Sequence, residues 1–177
     1  RKGMSQNTVK RVFASIRSII NLTMREYGIE GTNAFSGTFM PDRDDVQKRK
    51  TIPDNAIWII QQKCRKLDDE LRWIISLISD TGMRLSEALG LCKDDVHLEA
   101  ATPFVEIRTH PWRRLKTPSS NRKVPLVGEA VWAARQAYRG SESNHLFPRY
   151  CDGKHVKANS ASAALNKWMK CQTKDEF

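Results

Sequence analysis

Thr81-Gly82-Met83-Arg84-Leu85-Ser86-Glu87-Ala88-Leu89-Gly90-Leu91 is the stretch on which the reading of this chain turns. Before it runs Asp68 to Ser79, with Leu71, Trp73, Ile74, Ile75, Leu77 and Ile78 at helical spacing. Thr81-Gly82 breaks that helix, because glycine accepts the left-handed backbone that ends helices. A short helix is predicted from Arg84 to Leu91. Arg84 therefore stands at the exit of a buried helix, on a firm base. Its guanidinium fork suits two phosphate oxygens at once. Glu87, three residues on, is within reach to hold it. From these residues alone two readings stay open. One is an ordinary surface arginine–glutamate pair, which contributes little. The other is an anion-binding arginine.

Working toward the N-terminus, Thr51 to Cys64 reads as a helix with an apolar face of Ala56, Ile59, Ile60 and Cys64. Thr51 and Asp54 fit a capping pattern around Pro53. Gly31 to Lys50 has linker composition and ends in the basic run Lys48-Arg49-Lys50. Asn7 to Tyr27 is an amphipathic helix built on Val9, Val12, Phe13, Ile16, Ile19, Ile20 and Met24, stopped by Gly28 and Gly31. Such a helix needs an apolar partner. It is expected to close a preceding domain or to dock on the body that follows.

Toward the C-terminus, strands are predicted at Phe104 to Arg108, Arg113 to Thr117 and Arg122 to Leu126. Pro118-Ser119-Ser120-Asn121 supplies turn chemistry between the last two. Helices are expected from Gly128 to Tyr138, on Val131, Trp132, Arg135 and Tyr138, and from Ala158 to Lys170, with Ala161, Leu165, Trp168 and Met169 inward. The fold class that follows is α+β, mainly helical with a small three-stranded antiparallel sheet.

The chain has 177 residues, and Lys plus Arg exceeds Asp plus Glu by 30 to 20, a formal net charge of +10. That surplus favours a polyanionic partner, because each neutralised phosphate releases condensed counterions. A merely basic protein would show the same balance. Cys64, Cys92, Cys151 and Cys171 form no Cys-x-x-Cys pair, and no histidine stands beside them at zinc-ligand spacing. No metal site and no disulfide are expected, and the thiols read as those of a reduced, cytoplasmic protein. No apolar run approaches a membrane span. Arg1 at the start suggests a piece of a longer protein.

Thr-Gly-x-Arg-x-Ser-Glu-x-Leu-x-Leu, as Thr81 to Leu91 spell it, resembles the first-arginine motif of the tyrosine recombinases, the phage integrase family. Leu115-Lys116-Thr117, a polar turn and Arg122-Lys123-Val124-Pro125-Leu126 resemble the family's β-hairpin, and they follow in the family's order. The resemblance implies residues 1–40 as the end of a helical core-binding domain plus linker. It implies residues 41–177 as the front two-thirds of a catalytic domain. It also implies transesterification of DNA through a 3′-phosphotyrosyl link, without metal, nucleotide or other cofactor, by a tetramer on duplex DNA. Arg84 matches the phosphate-binding arginine and Lys116 the general acid that protonates the leaving 5′-oxygen. Glu87 supports Arg84. Arg113, Arg114, Arg122 and Lys123 cluster on the expected hairpin as DNA contacts, with a solvated charged edge as the other reading.

The family's His-x-x-Arg box and nucleophilic tyrosine belong beyond the last helix. His110-Pro111-Trp112-Arg113 spells His-x-x-Arg, but it precedes Lys116 and its proline bars a regular helix, so it is a decoy. Tyr27, Tyr138 and Tyr150 lie upstream of the nucleophile's place. The expected function is site-specific recombination by the complete protein, encoded by a prophage or another mobile element and working at the nucleoid. This chain alone is expected to be inactive. A catalytically dead DNA-binding accessory protein of the same fold is the alternative, and a generic RNA-binding domain ranks last for want of an aromatic stacking motif.

Overall fold

The computed structural model describes residues 4–40 and 51–172. Lys48-Arg49-Lys50 and the second half of the expected linker lie outside the described residues. Two compact units are resolved, Arg1–Thr51 and Ile52–Phe177.

In the first unit, α1 spans Gln6–Glu26 and starts at Ser5, whose hydroxyl accepts the Thr8 N–H. The chain then folds back along its own helix. Asn33 is the pin, donating through Nδ2 to the Arg17 carbonyl at 3.1 Å and to Asn21 Oδ1 at 2.7 Å. Phe35 meets Phe13 edge-on. No residue of α1 is buried, and Ile19 and Leu22 stay more than half exposed.

The second unit is α+β. Helix α2 (Asp54–Leu67) buries Ala56, Ile60 and Cys64. Pro53 takes the cap position without a side-chain hydrogen bond, so the Thr51 cap expected from the sequence is not made. Asp68 turns the chain at φ +44°, a conformation aspartate tolerates. Its carboxylate accepts from Trp73 Nε1 and Gln136 Nε2, tying that turn to the helix that follows and to a distant one. Helix α3 (Glu70–Thr81) buries Ile74, Ser76 and Leu77 and ends on Gly82 at φ +62°, as the sequence predicts. Helix α4 (Leu85–Leu89) follows at once and sinks Glu87, Ala88 and Leu89.

Three strands make one antiparallel sheet in the order β1-β2-β3: Val96–His97, Phe104–Ile107 and Arg122–Pro125. Val105 faces Val96 on one side and Val124 on the other, and all three enter the core. The sheet is the size expected, but one strand differs. Arg113 to Thr117 is not a strand. The third strand is instead the two-residue β1, on the far side of β2 from β3 and too short to carry an alternating pattern. The cause is side-chain anchoring. Trp112 Nε1 donates to the Gly90 carbonyl and the Arg113 guanidinium to the carbonyls of Glu87 and Arg108, so this segment is bonded inward instead of along a ladder.

Helix α5 (Glu129–Gly140) packs across α3. Its inward face is not the one marked by Val131, Trp132, Arg135 and Tyr138. Ala130, Ala133, Ala134 and Ala137 form the buried stripe, at the i, i+3, i+4, i+7 spacing of a helix face. Small side chains let the two backbones approach closely. At Gly140 a methyl group would stand 2.8 Å from the Trp73 ring. Helix α6 (Ala158–Gln172) buries Ala161, with Leu165, Trp168 and Met169 half-buried.

Candidate active site

Glu87 is the centre of the site. Helix α4 holds it with its side chain only 5% exposed. Its Oε2 accepts the Arg84 N–H at 2.9 Å and its Oε1 accepts Arg84 Nη1 at 2.7 Å. From β3, Arg122 reaches the same carboxylate, with Nη2 at 2.9 Å from Oε2 and Nη1 at 3.3 Å from Oε1. One buried carboxylate thus carries two guanidinium groups. Burial works to raise the Glu87 carboxyl, but the Arg122 and Arg84 hydrogen bonds together outweigh it and bring it down to about 2. The pair of arginines is therefore fixed at any physiological pH.

The two guanidiniums border a cavity of about 400 Å³, lined by Gly82, Arg84, Thr117, Ser119, Ser120 and Arg122. Thr117 Oγ1 lies 3.0 Å from both the Ser119 and Ser120 hydroxyls. Arg122 Nη1 also donates to the Ser120 carbonyl at 3.0 Å, which fixes the turn to the strand. A concave surface of arginines and hydroxyls is built for an oxyanion. Sequence reasoning read the Pro118 to Asn121 segment as a turn and missed its hydroxyls as site residues. Their only signal was three hydroxyl residues just before Arg122.

The other expected site residues divide. Lys116 is exposed, on the irregular loop one residue before Thr117, and does not line the cavity. Arg114 is exposed. Lys123 is exposed too, with its Nζ 4.9 Å from the centre of the Phe104 ring. Arg113, expected as a DNA contact, must be corrected. It is 3% exposed, and its guanidinium donates to Glu87 O at 2.6 Å and to Arg108 O at 2.7 Å. It packs the interior and offers nothing to a partner.

His110-Pro111-Trp112-Arg113 is a tight turn closed by paired His110–Arg113 backbone bonds. The His110 ring stacks on Trp112 at 4.5 Å, and its Nε2 lies 2.8 Å from Asp95 Oδ2. Cys92, Asp95 and His110 bring one possible metal-ligand atom each to within 4.8 Å of one another. Spacing along the chain carries no hint of that grouping. Asp95, however, is already balanced. Arg108 Nε lies at 2.6 Å and the Arg113 guanidinium at 3.9 Å, and these fixed cations oppose a further one. Burial pushes the Cys92 thiol up, aided by the Asp95 charge, so the thiolate a metal needs is disfavoured. The cluster is a buried ion-pair network.

A small sheet edged by helices, with a buried glutamate presenting arginines to an open cavity, defines an α+β domain with a cationic concave site. The family model described as the phage integrase family matches residues 51–177, and the chain belongs to that family, the tyrosine recombinases. No curated protein and no solved structure matches it. Among the described residues no helix is long and apolar enough to cross a membrane.

Proposed function

We propose that this chain is the front part of the catalytic domain of a site-specific recombinase that cuts and rejoins duplex DNA through a 3′-phosphotyrosyl intermediate. The observation that carries this is the Arg84–Glu87 pair at the rim of the oxyanion cavity. Arg84 grips a non-bridging oxygen of the scissile phosphate, where charge builds as the phosphorus becomes five-coordinate. Glu87 holds Arg84 in that pose. A tyrosine hydroxyl attacks phosphorus, the bond to the 5′-oxygen breaks, and Lys116 gives that oxygen its proton. The position of Lys116 beside Thr117 of the cavity supports the role. No tyrosine lines the cavity, and Tyr150 is buried in the core. Arg114 and Lys123 contact phosphates of the duplex backbone. The working assembly is a tetramer of like chains on DNA at the nucleoid, serving a prophage or another mobile element.

Covalent capture on a nicked suicide duplex tests this. The complete gene product should form a protein–DNA adduct, and this chain alone should form none. In the complete protein, Arg84→Ala and Lys116→Ala should each cut adduct formation by about 10²–10³-fold while DNA affinity stays nearly level. Adducts formed by this chain, or loss of binding in step with cleavage, would overturn the assignment.

A further inference from the structure

Arg122 stands apart from the other basic residues expected to touch DNA, because it is bound to the same carboxylate as Arg84. We propose that Arg122 is a second ligand of the phosphate that Arg84 holds, which makes it a further catalytic residue. The cavity then offers an oxyanion two arginines carried by this chain, beside whatever the family's His-x-x-Arg box adds. The inference rests on reading Arg84 as a phosphate ligand.

Three observations carry it. The first is charge balance. Two guanidiniums share one carboxylate, so the cluster keeps a surplus of one positive charge. The second is direction. Glu87 lies beneath at 5% side-chain exposure, while Arg84 at 54% and Arg122 at 36% stand above it, so the surplus faces the cavity and not the core. The third is the set of donors. Arg122 spends Nη1 and Nη2 on Glu87 and the Ser120 carbonyl. Among the described residues its Nε makes no hydrogen bond, nor do Nε and Nη2 of Arg84. Thr117 and Ser119 lie on the same wall, and the two bonds among Thr117, Ser119 and Ser120 leave one hydroxyl proton of the three free to donate.

An oxyanion placed there supplies the missing countercharge and meets forks from two elements, the α3–α4 turn and β3. Because Glu87 anchors both forks beforehand, neither must be ordered at the moment of binding. Exposure alone does not mark Arg122, since Arg108 holds Asp95 at 39% exposure. What marks Arg122 is that it borders the same hydroxyl-lined cavity as Arg84.

The test uses this chain with its arginines labelled with ¹⁵N, titrated with inorganic phosphate and read at the Nε–Hε resonances. Arg84 and Arg122 should shift along one saturation curve. Arg122→Ala should weaken phosphate binding by roughly tenfold, the loss of one charge-assisted hydrogen bond, with Arg122→Lys in between. Near-UV circular dichroism checks the fold of each variant. If Arg122→Ala does not fold, the wild-type titration and Arg122→Lys decide. A shift of Arg84 alone would sink the inference and leave the Arg84 reading standing. No shift at either arginine would remove both.

Discussion

Two carboxylates in this domain each hold a pair of arginines. Glu87 takes Arg84 and Arg122, and Asp95 takes Arg108 and Arg113 with His110 added. Both carboxylates are buried, and both are held below their usual range against the opposing effect of burial. What differs is the cations' far side. Arg113 is enclosed, with its fork spent on backbone carbonyls, and Trp112 stacks over His110. Arg84 and Arg122 open onto a cavity lined with hydroxyls. Arg108 at 39% is as exposed as Arg122 at 36%, so exposure alone does not separate the two clusters. What separates them is the hydroxyl-lined cavity, which Arg84 and Arg122 border and Arg108 and Arg113 do not.

The largest way to break the comparison is Asp95→Ala. It leaves the buried Arg113 charge without a countercharge, and should cost about 3–5 kcal/mol in chemical denaturation. If the loss is under about 1 kcal/mol, Arg113 does not depend on Asp95 for its countercharge. Acid sharpens the other half. Glu87 titrates at about 2 in the folded chain against an ordinary 4.5, so its charge stabilises fully above pH 4.5 and fades as pH falls through 2. The stability gap between wild type and Glu87→Gln should therefore shrink by up to about 3 kcal/mol over that range. A gap that stays constant with pH would mean that Glu87 acts by shape alone. Gly90→Ala probes the wall between the clusters. Its methyl would lie 2.7 Å from Arg113 Cδ and 3.2 Å from the Ser86 carbonyl. A loss of about 1–3 kcal/mol is expected, and a neutral result would show that Arg113 can shift freely. The smallest effect is at the surface. Lys123→Ala should leave stability unchanged and lower the salt slope of DNA binding by about one phosphate contact. An unchanged slope removes Lys123 from the interface.

Much of the frame was legible because it rests on local rules. Gly82 ends α3 where a left-handed residue was required, and the α2 and α3 faces follow helical spacing. Arg84 and Glu87 stand three residues apart, and the pair could be read directly. What could not be read depends on distant partners. Arg113 to Thr117 alternates like a strand, yet bonds to Gly90, Glu87 and Arg108 draw it inward. The α5 stripe was hidden because alanine carries little hydropathy signal beside Trp132 and Tyr138. Arg122 on Glu87 spans 35 residues and Arg108 on Asp95 spans 13, and no periodicity encodes either.

The bond from Arg113 to the Glu87 carbonyl has one more effect. It joins residues 26 apart and makes Glu87 the shared post of both clusters, side chain on one and backbone on the other. Arg84, Glu87 and Arg113 are thereby tied to one another through a single residue. In native-state hydrogen exchange the amides of Glu87 and Arg113 should release at one free energy, so that loss of the cavity and unfastening of the interior are the same event.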